Sequence, residues 1–165
     1  MTQSRMTRMR QVVDWRAAII GSLAGAITFL LAIAMLLPVT TGGTLWAFYR
    51  YIASILLGAG ILPPPAGFDI VAVLVGTVIH VALSLVYGAI LTTIIHRWGL
   101  IVGLLGGALF GLAVYAINFF TFTLIFDWFY LLRSWPIVLA HVLFGAVTGL
   151  VYELLEVERF VPVEP

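Results

Sequence analysis

The sequence predicts an all-α integral membrane protein, a bundle of four transmembrane helices with a further helix lying in the interface on one side. Three observations predict it. The 165 residues are 63% hydrophobic and only 9% charged, whereas a soluble domain carries about 25% charged residues. Four stretches reach the roughly 20 apolar residues that a spanning helix needs. The arginines also collect on one side of the spans that these stretches define. A chain so apolar cannot cover a water-facing surface, so its solvent is lipid. Its length accommodates one domain.

The first span is read at 17–37, stopped by Pro38. A basic start, Arg5, Arg8, Arg10 and Arg16, precedes it, as in a signal peptide. Its 21 residues exceed an h-region of about 7–15, so a retained span is expected. The second span is read at 70–95, with Asp69 as N-cap. The third is read at 100–123. The fourth is read at 136–155, with Ser134 near its cap and Pro136 in the first turn, where a missing N–H costs nothing. Between the first two lies 39–69, containing an apolar stretch at 45–61. Arg50 interrupts it, and Trp46, Phe48, Tyr49 and Tyr51 flank it. Aromatic residues beside an arginine suit the headgroup level, so this stretch is expected to be an interfacial or shallow re-entrant helix ending at Pro63-Pro64-Pro65.

Arginine placement sets the expected orientation. With 1–16 inside, Arg5, Arg8, Arg10, Arg16, Arg97 and Arg159 face the cytoplasm, and Arg50 and Arg133 face outward. Both tails, 1–16 and 156–165, are then cytoplasmic, in a bacterial inner membrane. In the outer connectors, Asp127 and Arg133 are placed to pair.

The chain reads as a helical hairpin used twice. At an offset of 82 residues, 19–34 aligns with 101–116, with seven of sixteen positions identical. At an offset of 61, His80-Val81 meets His141-Val142. Small residues recur at helical spacing: Gly21 and Gly25, Gly103, Gly107 and Gly111, Gly145 and Gly149, and the stripe Gly76, His80, Ser84, Gly88, Thr92. Such stripes let helix backbones approach closely in lipid. They hold the bundle together or hold it to a partner.

Few polar groups lie within the spans, and an intramembrane ionisable residue is a functional candidate by default. His80 sits about 15 Å and His141 about 9 Å into their helices from the outer side. Asn118 and Tyr115 lie in the outer half of the third span. Two histidines on different helices are compatible with axial ligation of a b-type haem or with a copper or zinc ion. They are also compatible with proton relay, or with hydrogen bonding that joins helices. Glu153 and Glu156 are read as a solvated face at the inner end. There is no cysteine, which excludes disulfides and thiolate sites. No phosphate loop, carboxylate pair or nucleophile–base motif is found, so no enzyme is expected. A net charge of +1 gives no case for nucleic acid.

The segments Ile61-Leu62-Pro63-Pro64-Pro65, Val81-Ala82-Leu83-Ser84-Leu85-Val86-Tyr87-Gly88, Ile94-Ile95-His96-Arg97 and Ala140-His141-Val142-Leu143-Phe144-Gly145 belong together with Asn118-Phe119-Phe120 and Asp127-Trp128-Phe129. Jointly they resemble a family of small bacterial four-span membrane proteins that automated labelling describes as sodium:proline symporter-like. The resemblance covers most of 17–152 and implies a four-span fold, with no residue roles. Secondary transporters of that class have more helices, broken around a midplane site, and neither feature is read here. The expected role is a non-catalytic accessory subunit, packing its glycine faces against other membrane subunits, for instance of an electron-transfer complex, or against a second copy. The alternatives are a haem b or metal protein using His80 and His141, and a small ion or proton conductor using His80, Tyr115, Asn118 and His141.

Overall fold

Each helix begins where a polar side chain can take up its free N–H groups or where a glycine or proline turns the chain. The computed structural model describes residues 9–65 and 67–162. The carboxylate of Asp14 accepts the N–H groups of Arg16 (3.0 Å) and Ala17 (3.2 Å) and opens α1, Trp15–Thr41. Thr44 accepts from Ala47 (3.0 Å) and opens α2, Leu45–Leu57. Asp69 accepts from Val71 (2.9 Å) and Ala72 (3.1 Å) and opens α3, Ile70–Ile95. Gly99, at φ +78°, turns the chain into α4, Leu100–Ala116. A π-helical turn, Ile117–Thr121, and a 3-10 turn, Phe122–Leu124, prolong α4. A second 3-10 segment, Asp127–Leu132, leads to α5, Trp135–Leu155.

Four of these helices, α1, α3, α5 and α4 with its extension to Leu124, are long and apolar enough to cross a membrane. The chain is an integral, multi-pass membrane protein. At 13 residues, α2 is too short to span. We call the side that holds 42–69 and 117–134 the connector side, and the opposite side the terminal side.

Several boundaries differ from those read in the sequence. Pro38 does not stop α1, which continues through it to Thr41. Proline is tolerated near the end of a spanning helix because hydroxyls and neighbours take up freed backbone groups. Pro38 lies only three residues before the end of the helix, and beyond it the Thr40 and Thr41 hydroxyls donate to the carbonyls of Leu36 (2.6 Å) and Leu37 (3.0 Å) in the last turns. The helix after Thr44 ends at Leu57, not 61, because Gly58, at φ +78°, breaks it. The Ser134 hydroxyl makes no cap bond and donates backward to the Leu132 carbonyl. Arg133 does not pair with Asp127. Its guanidinium stacks on the rings of Phe120 (4.2 Å) and Tyr130 (4.5 Å) and donates to the Thr123 hydroxyl.

The glycines decide which helices touch. A Cβ on Gly145 would collide with the Gly107 carbonyl, one on Gly149 with the Gly103 carbonyl, and one on Gly111 with the His141 carbonyl. So α4 and α5 run antiparallel at backbone contact. Gly21 and Gly25 of α1 meet α5 at Thr148, Tyr152 and Phe144. Gly88 of α3 meets Ser22 of α1, and Gly76 of α3 meets Tyr49 of α2. The helices therefore form an arc in the order α4, α5, α1, α3, with α2 against α3. α3 and α4 scarcely touch beyond the turn that joins them. The expected repeat would make α1/α3 equivalent to α4/α5, but these pairs pack differently, and α1 lies along α5 whereas α4 stands away from α3.

At the terminal side the two tails do not run free. Met9–Val12 (β1) pairs antiparallel with Arg159–Pro162 (β2), Met9 opposite Pro162 and Val12 opposite Arg159. The second Asp14 carboxylate oxygen accepts from the Val157 N–H (3.2 Å), and the Asp14 N–H donates to the Tyr152 hydroxyl (3.4 Å). Of the arginines that set the expected orientation, Arg5 and Arg8 lie outside the described residues.

Candidate functional site

Where α3 leaves α4, the bundle encloses a cavity of about 250 Å³. Phenylalanines from several elements form much of its walls, among them Phe29 of α1, Phe48 of α2, Phe119 after α4, Phe129 of the connector and Phe144 of α5. No charged residue lines it. Two lining residues are substantially exposed, Leu83 of α3 (37%) and Phe122 after α4 (40%). The cavity therefore opens sideways, between α3 and the extension of α4.

Five polar side chains reach it: His80, Ser84, Tyr87, Asn118 and His141. Three of them form a directional chain. The Tyr87 hydroxyl donates to Asn118 Oδ1 (2.8 Å). Asn118 Nδ2 lies 3.3 Å from His141 Nε2, and His141 Nδ1 lies 2.7 Å from the Ile137 carbonyl. A carbonyl can only accept, so the proton of His141 is on Nδ1. Its Nε2 then accepts from the Asn118 amide, whose oxygen is left to accept from Tyr87. All three bonds agree on one tautomer and one amide orientation. Asn118 sits on the π-helical turn, a feature frequent at functional sites, and the wider turn places it within reach of both partners.

His80 is held separately. Its Nε2 lies 3.1 Å from the Ala26 carbonyl of α1, so Nε2 carries the proton and Nδ1 keeps a lone pair. Four residues on, Ser84 occupies the same helix face. It is only 4% exposed, lines the cavity and makes no hydrogen bond within the described residues.

The expected pairing of the two histidines takes a different form. The ring of Phe29 stands between them, 5.3 Å from the His80 ring and 4.9 Å from the His141 ring, centroid to centroid. His80 Nε2 and both nitrogens of His141 are already engaged. Two axial haem ligands must present nitrogens to one iron from opposite faces, and these residues do not fit that arrangement. Among the described residues, no three His, Asp or Glu side chains gather where a metal ion could bind. Tyr115 packs behind His141, ring to ring at 5.6 Å, and stacks on Phe119. It backs the site without lining it.

Sequence reasoning missed two members of the site. Tyr87 stands in one of the segments that carry the resemblance, but no role is read for it there. Ser84 was read as a packing residue, like the glycines around it. Its i+4 spacing from His80 was the available signal. The glycines themselves, Gly21, Gly25, Gly76, Gly88, Gly103, Gly107, Gly111, Gly145 and Gly149, all meet other helices of the same chain.

Comparisons of the chain with models of known protein families, with curated proteins and with solved structures found no match.

Proposed function

We propose that this chain is a non-catalytic protein of the bacterial inner membrane that binds a small apolar molecule drawn from the lipid. One observation carries the reading: the phenylalanine-walled cavity of about 250 Å³ with its sideways mouth between Leu83 and Phe122. A dry apolar cavity of about 150 Å³ already accommodates a benzene ring. This one takes a ring-sized body, and its mouth leaves a path for an attached chain into the bilayer. The absence of charge in the walls argues against ions and charged substrates, because an unpaired charge there costs several kcal/mol. With the arginine-rich side cytoplasmic, the cavity lies toward the outer leaflet.

An accessory role in a larger complex drew its support from glycine faces free to meet a partner. Those faces are occupied within the chain, so that role loses its main support. Migration in a stable larger assembly after gentle solubilisation of native membranes would restore it.

The reading is tested with 1-aminoanthracene, a fluorescent apolar probe, and protein reconstituted in nanodiscs. Saturable binding is expected above the level of protein-free discs. Leu83→Trp, a change at a partly exposed mouth position, is expected to abolish it while leaving the helical signal intact. Fluorescence that rises only as in empty discs would overturn the reading.

A further inference from the structure

The cavity also specifies the polar group of its occupant. Buried polar groups are nearly always hydrogen-bonded, and each exception calls for an explanation. The fully buried atoms without a partner among the described residues are Arg133 Nε, Thr148 Oγ1 and Glu153 Oε1, but two further groups that face the cavity stand one helical turn apart on α3. His80 is 8% exposed and Ser84 4% exposed, both line the cavity, and His80 Nδ1 and the Ser84 hydroxyl have no partner among the described residues. Their chemistry is complementary. Nδ1 only accepts, because the Ala26 carbonyl fixes the proton on Nε2. The Ser84 hydroxyl is free to donate. A group that fits both must donate to the first and accept from the second.

That requirement separates the candidate head groups. A carbonyl or ether accepts from Ser84 but gives nothing to His80. A primary ammonium or a carboxylate would bring a charge into walls that hold none, at prohibitive cost. A neutral hydroxyl meets both conditions through one oxygen atom. The other polar groups of the cavity, Tyr87, Asn118 and His141, are already joined to one another, so they do not compete for it.

We infer that the occupant is a neutral hydroxyl compound with an apolar body, its O–H donating to His80 Nδ1 and its oxygen accepting from the Ser84 hydroxyl. The inference rests on the cavity being the binding site, as proposed above.

The test uses a matched pair, 4-nonylphenol and its methyl ether 4-nonylanisole. Each displaces 1-aminoanthracene from nanodisc-embedded protein at equal mole fraction in the lipid. The phenol is expected to compete about tenfold better, since sites built to bind a hydroxyl discriminate strongly against analogues that lack it. Ser84→Ala, small in both volume and exposure, is expected to reduce the preference to near parity without weakening the ether. With ¹⁵N-labelled histidine, the Nδ1 resonance of His80 is expected to move on adding the phenol and to stay on adding the ether. Equal competition by the two compounds, with probe still bound, would overturn the hydroxyl assignment and leave the cavity reading intact. A preference that survives Ser84→Ala with an unmoved His80 resonance would also overturn it. Failure of the probe to bind at all would remove the cavity reading, and this inference with it.

Discussion

The indole N–H of Trp128 donates to the hydroxyl of Ser54 at 2.8 Å, joining positions 74 residues apart. Ser54 is 1% exposed on α2, and its own hydroxyl donates to the Tyr51 carbonyl. This bond ties the two connectors together beside the cavity. Ser54→Ala leaves the indole N–H without its partner. It is expected to cost about 1 kcal/mol, measured by reversible unfolding in mixed micelles. Hydrogen exchange should accelerate in 117–134 more than in α5.

Adjacent glycines on α4 have opposite surroundings. A methyl at Gly107 would run into the backbone of Gly145, whereas at Gly106 it would meet only Val102 (3.7 Å) and Ile95 (3.9 Å) side-chain carbons at ordinary contact. Gly107→Ala is expected to destabilise the protein by about 1–3 kcal/mol. Gly106→Ala is expected to be neutral or to stabilise by up to about 1 kcal/mol. Thermal unfolding in one detergent compares them directly, and similar losses for both would contradict the α4/α5 contact.

Arg50 is 8% exposed, covered by the chain itself. Its guanidinium donates to the carbonyls of Ile61 and Gly67 (both 3.3 Å) and pairs with Asp69 (3.3 Å). One planar fork thus holds the loop before α3 against α2. Lysine carries the charge but not the fork. Arg50→Lys is therefore expected to open the loop around 58–65 to limited proteolysis, almost as Arg50→Ala does, with α3 still protected.

Asp14 gives the terminal side a pH dependence. Burial alone would raise its carboxyl, but the N–H groups of Val157, Ala17 and Arg16 and the charge of Arg159 hold it below the ordinary value of 3.8. A carboxyl depressed on folding contributes fully above its unfolded value and loses that contribution as pH falls through the lower, folded one. Hydrogen exchange at Val157 is expected to stay slow down to about pH 4 and to accelerate below it. Asp14→Asn should flatten that profile. Asp14→Ala should cost about 1 kcal/mol at neutral pH through loss of the cap.

Asn118 is the central member of the chain from Tyr87 to His141. Interhelical hydrogen bonds in membranes average about 0.6 kcal/mol and reach about 1.7 kcal/mol. Asn118→Leu removes two bonds, so a loss near the upper figure is expected in micellar unfolding. His141 should keep its Nδ1 proton, because the Ile137 carbonyl remains, and ¹⁵N spectra would report a tautomer change if it does not.

The four spans were legible because length and apolarity are local properties of the sequence. Asp69 at the start of α3 was legible for the same reason, as a cap lies within three residues of what it caps. The site was only partly legible. His80, Asn118 and His141 stood out as polar residues at depth, but whether the histidines met depended on the Phe29 ring, which comes from another helix. The α3/α4 gap that makes the cavity follows from which glycine stripes mate, and all the stripes read alike. The pairing of β1 with β2 was invisible because nearly 150 residues separate two short segments with no strand pattern of their own.

That ribbon makes the chain almost a closed ring. Met9 faces Pro162, on the same side of the membrane as the turn at 96–99. If those ends were bridged and the chain reopened between Arg97 and Trp98, the helices would follow the order α4, α5, α1, α2, α3, and each would still cross in its original direction. The hairpin with the closest backbone contact would then leave the ribosome first. The order in which the spans are synthesised is thus separable from the arrangement they reach, and a circular permutant of this kind should assemble the same cavity.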